Sequence, residues 1–172
     1  MSQLIHQWKS IRLEEEKVTL PNGKTITHTT IQHPGAAVIL PITPSGEIVL
    51  VDQYRPSLKK WLLELPAGTL EIGECPLECA ERELKEETGY VAKKLVELGQ
   101  VTPLAGFCDE IQHLFVAIDV EKKSDADLDD DEVISVTVKS LQEIQTAIVA
   151  NELSDAKTIA CISKAQLCGY LS

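Results

Sequence analysis

Gly68-Thr69-Leu70-Glu71-Ile72-Gly73-Glu74-Cys75-Pro76-Leu77-Glu78-Cys79-Ala80-Glu81-Arg82-Glu83-Leu84-Lys85-Glu86-Glu87-Thr88-Gly89-Tyr90 is the stretch from which the rest of the chain is best read. Proline is tolerated in the first turn of a helix and glycine is favoured just past its end, so a helix is expected from about Pro76 to Thr88. At about 100° per residue, Leu77, Ala80 and Leu84 share one stripe and are expected to face a core. Glu83 and Glu87 lie about 40° apart along one border of that stripe, with Glu86 further round towards solvent. Like charges at these spacings cost some tenths of a kcal/mol per pair, offset in part by Arg82 and Lys85. Cys75 is a poorer N-cap than Ser or Thr, a loss of up to about 1 kcal/mol. Glu78 in the first turn compensates in part.

Two carboxylates fixed beside a core, with Glu74 upstream, supply hard oxygen donors suited to Mg²⁺ or Mn²⁺. The Pro66-Ala67-Gly68 loop can add a backbone carbonyl. An isolated E-x-x-E-E cluster would read as a solvated acidic helix face, but the longer pattern outweighs that reading. Gly68, Glu74, Arg82, Glu83, Leu84, Glu86, Glu87, Gly89 and Tyr90 fill every fixed place of G-x5-E-x7-R-E-U-x-E-E-x-G-U, with U apolar. On these residues the chain resembles the Nudix hydrolases. The resemblance implies an α/β/α sandwich with a mixed sheet, and hydrolysis of a diphosphate linked to a nucleoside. It also implies Glu83 and Glu87 as the main metal ligands, supported by Glu86 and the Ala67 carbonyl, with Glu87 catalytic. Gly68, Glu74 and Arg82 then hold the loop-helix geometry.

Outward from this motif the chain reads as mixed α/β with one core. Residues 10 to 33 alternate as two strands around a Pro21-Asn22-Gly23 turn, a β-hairpin that packs apart from the main body. Ala36–Ile42 and Glu47–Gln53 carry apolar runs expected of strands buried on both faces. Further strands are expected near Leu95–Val101, Ile111–Val120 and Val133–Val138, and one or two helices between Leu141 and Tyr170. The division expected is an N-terminal β extension over 1–34 and a hydrolase domain over 35–172.

His33-Pro34-Gly35-Ala36, Gln53-Tyr54-Arg55, Trp61-Leu62-Leu63-Glu64-Leu65-Pro66-Ala67-Gly68 and Gly106-Phe107-Cys108-Asp109-Glu110 are similar to the ADP-ribose pyrophosphatase branch. Ala105 stands where that branch usually has proline. This resemblance implies cleavage of ADP-ribose to AMP and ribose 5-phosphate, with another nucleoside diphosphate sugar or a dinucleoside polyphosphate as the alternative substrate. A non-catalytic nucleotide sensor is the reading from a different class, and the intact Glu83, Glu86 and Glu87 weigh against it. It also implies a homodimer formed through the N-terminal extension. Substrate contacts are expected from Arg55, Glu64, Gly106, Phe107 and Glu110. The fork of Arg55 suits phosphate oxygens, or else a surface ion pair; Glu64 contacts ribose or adenine, or pairs with a lysine. A general base must reach the attacking water. Related enzymes supply it from an acidic loop after the motif, here 127–132, with Glu132 and Asp131 as the candidates.

Composition sets the outer bounds. Sixteen Lys+Arg against twenty-seven Asp+Glu gives 16 − 27 = −11 over 172 residues. So acidic a chain is not expected to bind nucleic acid through a basic surface, and an anionic substrate needs a cation to bring it in. No apolar run approaches the roughly 20 residues of a membrane span, and the N-terminus lacks the pattern of a signal peptide. Five cysteines without a C-x-x-C pair suggest buried or half-buried free thiols in a reducing, cytoplasmic setting.

Overall fold

In a computed structural model, residues 2–128 and 132–171 are described. Three strands, β1 (Gln3–Trp8), β2 (Ile11–Thr19) and β3 (Thr25–Gln32), form an antiparallel N-terminal sheet. The expected hairpin is therefore present as β2 and β3, with β1 added to it. Every residue of β1 is exposed. Isolated from its neighbours, Gln3–Trp8 offers no alternation strong enough to mark a strand; pairing with β2 from Gln3↔Glu15 to Trp8↔Ile11 forms it.

The main sheet runs β12 (Ile134–Lys139), β5 (Ile48–Arg55), β4 (Ala36–Ile42), β10 (Gln112–Ile118), β9 (Lys94–Val101). It is mixed, because β10 lies parallel to β4 while the other pairs are antiparallel. Strands β4 and β5 share only the Ile42↔Ile48 pair and then part. The gap is filled by β6 (Lys60–Glu64) on β5 and β7 (Ala67–Thr69) on β4. The connection between them, Leu65 and Pro66, is pinned in the fork by Ile39 N–H donating to the Pro66 carbonyl at 2.9 Å. A further short pair, β8 (Tyr90–Val91) with β11 (Glu121–Lys122), closes the end of the motif helix.

Both faces of β4 and β5 are covered, as their apolar runs predict. Ala37, Ile39 and Val49 point to one core cluster, with Cys79, Ala80 and Leu84 of α1 (Pro76–Thr88). Val38, Leu40, Ile48 and Leu50 point to the other, with Ile144 of α2 (Leu141–Val149) and Cys161, Ile162 and Ala165 of α3 (Ala156–Leu167). This two-residue alternation across a doubly covered sheet is the α/β/α sandwich. Helix α1 has the expected bounds, and Gly89 closes it at φ 74° with its N–H donating to the Lys85 carbonyl. At its other end Glu78 accepts from the Cys75 N–H at 3.0 Å.

One expectation about α1 is corrected. Leu77 is 44% exposed, whereas Cys79, Ala80, Leu84, Glu87 and Thr88 are buried. On the wheel Leu77 still lies between the buried Leu84 and Thr88, but it stands about two turns ahead of Leu84 at the very start of the helix, before the core reaches α1 at Cys79. Glu87 lies inside the arc rather than on its border. The thiols also divide: Cys79, Cys108 and Cys161 are buried, but Cys75 and Cys168 are exposed. No helix is long and apolar enough to cross a membrane among the described residues.

Helix α3 is tied to the fork by its own cap. Asp155 accepts from the Thr158 N–H at 3.0 Å and the Thr158 hydroxyl at 2.6 Å. That hydroxyl in turn accepts from the buried Leu65 N–H at 2.8 Å. Thr158→Val keeps the shape but leaves the Leu65 N–H without its acceptor, and is expected to cost about 1–3 kcal/mol. Urea unfolding checks this; an unchanged midpoint would show that the cap does not hold the fork.

Candidate functional site

The site begins with a close approach. A Cβ built on Gly68 would lie 1.8 Å from the carboxyl carbon of Glu83, so a side chain here would push that carboxylate out of its place. Above that crossing, the Arg82 guanidinium gathers the loop and the helix. It donates to Glu74 at 2.8 and 2.9 Å, to Glu83 at 2.6 Å, to Glu86 at 3.0 Å and to the Thr69 carbonyl at 3.3 Å. The bonds to Arg82 hold the Glu74 carboxyl down to about 2, even against the cost of partial desolvation. Glu74 also accepts from the Glu71 N–H at 2.9 Å, so the loop preceding α1 is fixed from within.

Glu87 sits deeper, only 2% exposed, and accepts from the Ala67 N–H at 2.9 Å. Burial, then the charge of Glu83, pushes Glu87 up to about 8; burial likewise lifts Glu83 to about 6 against the pull of Arg82. The negative charge of Glu132 raises both further, which places it near them. Two carboxylates held against their tendency to protonate call for positive charge between them.

The donor set is chemically suited to a hard divalent cation. Among the described residues, no three acidic, His or Cys side chains yet converge as a preformed cage. The hydrogen bonds give the reason: Glu83 and Glu86 are turned to Arg82, and Glu87 to the Ala67 N–H.

Two cavities meet at the 67–69 ridge. A groove of about 990 Å³ is lined by Glu83, Glu86, Arg82, Asp127 and Glu132, with Trp8 to Ile11 at the tip of the N-terminal sheet on its far side. On the other side lies a cavity of about 810 Å³ bounded by Leu62, Glu64, Leu104, Glu110, Gln112 and Lys157. Ala67, Gly68, Thr69 and Arg55 line both. Arg55 thus stands between the carboxylates and the second cavity, and it donates to Glu64 through Nε at 2.8 Å and Nη2 at 2.6 Å.

The structure brings most of the expected residues into these two spaces. Ala67, Gly68, Arg82, Glu83, Glu86 and Glu132 line the groove, and Arg55, Glu64 and Glu110 line the cavity. Glu64 is 1% exposed and bonded to both Arg55 and Lys157, the lysine-pairing alternative read from the sequence. Burial raises its pKa, but these two cations outweigh that and leave it lowered. Gly106 and Phe107 are not among the lining residues of either space. Phe107 is 50% exposed, and its carbonyl accepts from the Ile31 N–H at 2.8 Å, which joins this loop to β3. Asp131 lies outside the described residues. Sequence reasoning missed Lys157 and Gln112; the amide of Gln112 donates to Glu110 at 2.9 Å.

A NUDIX domain family matches residues 32–160. The ADP-ribose pyrophosphatase of Bacillus subtilis is 41% identical over 164 residues, 95% of this chain and 89% of that protein. The methanol dehydrogenase activator of Bacillus methanolicus is 39% identical over 167 residues, 96% of this chain and 90% of that protein. A crystal structure described as that of an ADP compounds hydrolase shares the fold, with a TM-score of 0.82, 20% identity, and coverage of 96% of this chain and 90% of that one.

The raised carboxylates make a pH prediction. Glu83 and Glu87 bind protons more tightly when folded than at their ordinary value of 4.5. Between about 4.5 and 8 the folded chain therefore holds more protons than the unfolded one, and metal-free stability falls as pH rises. Urea midpoints in EDTA from about pH 5 to 8 should decline through this window. Glu87→Gln should flatten the upper half, and a midpoint that rises with pH would contradict the burial of these groups.

Proposed function

The chain belongs to the NUDIX family, and on that premise we propose that it hydrolyses the diphosphate of ADP-ribose to AMP and ribose 5-phosphate. The observation that carries this reading is the 41% identity to an ADP-ribose pyrophosphatase along nearly the whole chain. The placement of Arg55 supports it: the carboxylate groove and a second cavity of about 810 Å³ adjoin at one guanidinium whose fork fits phosphate oxygens. A substrate with a nucleoside at one end and a sugar phosphate at the other needs two such spaces with the diphosphate between them.

Members of this family generally use divalent metal ions. Here Mg²⁺, or Mn²⁺ in its place, would be held by Glu83, Glu86, Glu87 and the Ala67 carbonyl. Such an ion supplies neutralisation of the charge that develops on the phosphoryl oxygens and the leaving oxygen. The chain's own residues do the rest. Gly68, Glu74 and Arg82 fix the helix against the loop, and Arg55 orients the diphosphate. Glu64 and Glu110 shape the adjoining cavity, and Gly106 and Phe107 belong to the loop beside it. Glu132, or Asp131 next to it, takes the proton from the attacking water as that water adds to phosphorus and the bridging P–O bond breaks.

The reading includes a cytoplasmic homodimer built through the N-terminal sheet. Leu4, Ile5 and Trp8, about half exposed on β1, supply the apolar surface for it.

Incubation with Mg²⁺ and a panel of nucleotide sugars, followed by chromatography, tests the substrate. Preferential release of AMP and ribose 5-phosphate from ADP-ribose is expected, whereas preference for GDP-mannose would keep the chemistry and change the substrate. Glu87→Gln should abolish turnover while retaining substrate binding. Glu132→Gln should lower kcat by about 10²–10⁴-fold if it is the base. Full activity of that variant would leave Asp131 as the candidate.

A further inference from the structure

Lys157 lies 93 positions after Glu64 in the chain, on α3, yet it closes on the same carboxylate as Arg55. Glu64 Oε2 accepts from Nη2 of Arg55 at 2.6 Å and also from Lys157, while Glu64 Oε1 accepts from Nε of Arg55 at 2.8 Å. Lys157 is 12% exposed, and its ammonium is fixed on its other side by Asp155 at 3.1 Å. Asp155 is the N-cap of α3, and Thr158 ties the same turn to the Leu65 N–H, next to Glu64. The connections form a closed ring from the α3 cap through Lys157 and Glu64, returning through Leu65 and Thr158.

We infer that Lys157 is a positioning residue for substrate binding: it locks the Glu64 carboxylate, which in turn sets the plane and place of the Arg55 guanidinium between the two cavities. A carboxylate held by Arg55 alone can rotate together with it, because the two groups move as one bidentate pair. A second donor anchored to a helix cap removes that freedom. It also places a second cation beside Glu64, so the carboxylate's charge is shared and not spent on Arg55 alone. Glu64 and Asp155 balance the two cations, so what the ring supplies to an anionic diphosphate is an oriented donor fork at Arg55 and not excess positive charge. Side chains that hold a binding group in this way govern its precision as much as its presence.

The inference rests on the proposed reading of Arg55 as a diphosphate ligand, so its test has one arm that needs turnover and one that does not. In the first, Lys157→Met is expected to raise KM for ADP-ribose about tenfold with kcat within about twofold, the signature of lost binding common to ground and transition states. Lys157→Arg should restore most of the affinity. In an Arg55→Met background Lys157→Met should add nothing, because it acts only through Arg55. Additive effects, or a fall in kcat at unchanged KM, would overturn the inference.

In the second arm, hydrogen exchange of the Arg55 Nε–H is followed by NMR in arginine-labelled protein. Exchange is expected to be slow in the wild type, faster in Lys157→Met and slow again in Lys157→Arg. Unchanged exchange alongside a lowered melting temperature would make Lys157 merely structural. If the wild type cleaves another nucleotide sugar instead, the substrate reading fails while the exchange arm still decides the inference. If Lys157→Met does not fold, Lys157→Gln is expected to give the same acceleration, and its absence counts against the inference.

Discussion

A single guanidinium carried by α1 is the constraint on which the site depends. Arg82 bonds Glu74 ahead of the helix, Glu83 and Glu86 on it, and the Thr69 carbonyl of the strand beneath. Three carboxylates within reach of one cation would otherwise repel each other and splay the helix from its loop. With Arg82 between them they become the bond that joins the two. Glycine at 68 belongs to the same arrangement, because a side chain there would displace the Glu83 carboxylate from Arg82. Glu87 is then brought to the Ala67 N–H, and its burial follows from the same approach.

The split in the sheet is the second requirement. Had β4 and β5 stayed paired beyond Ile42↔Ile48, no gap would exist for β6 and β7, and the loop from Glu64 to Gly68 would have no place in the core. The fork lets one short segment serve two cavities: its Glu64 end faces α3 and its Ala67–Thr69 end faces α1. Both faces of the sheet are needed for this, since each helix layer brings its own charged groups to the segment. The functional arrangement is thus a property of the three-layer packing and not of the motif helix alone.

Much of this was legible locally. Proline at the start and glycine at the end bounded α1 correctly, and apolar runs marked β4 and β5 as doubly buried. What escaped was set by distant partners. β6 and β7 are short and have no alternation of their own, so their extended form comes from pairing with β5 and β4. β1 is likewise held by β2. Leu77 has the face the wheel assigns but is 44% exposed, because a wheel carries no position along the helix axis and the core meets α1 only from Cys79 onward. Lys157 carried no spacing signal, since its partner Glu64 is 93 positions away. Its only local cue was Asp155-Ala156-Lys157-Thr158, a helix start like many others.

The buried acid in that face points to a general tension. Folding favours apolar groups where Glu87 stands, and burial there makes the ionised form costly. A chain selected only for stability would fill that position with leucine and continue the stripe set by Ala80 and Leu84. Retaining a carboxylate lowers the stability of the metal-free fold at neutral pH but leaves a strong demand for opposite charge at one point. That demand is local, and so is the donor fork of Arg55 on the other side of the 67–69 ridge, held in place by Glu64 and Lys157. An acidic protein can therefore accept an anionic diphosphate without a favourable overall field: the groups that matter are fixed, few and act at short range, and over that distance salt screens little.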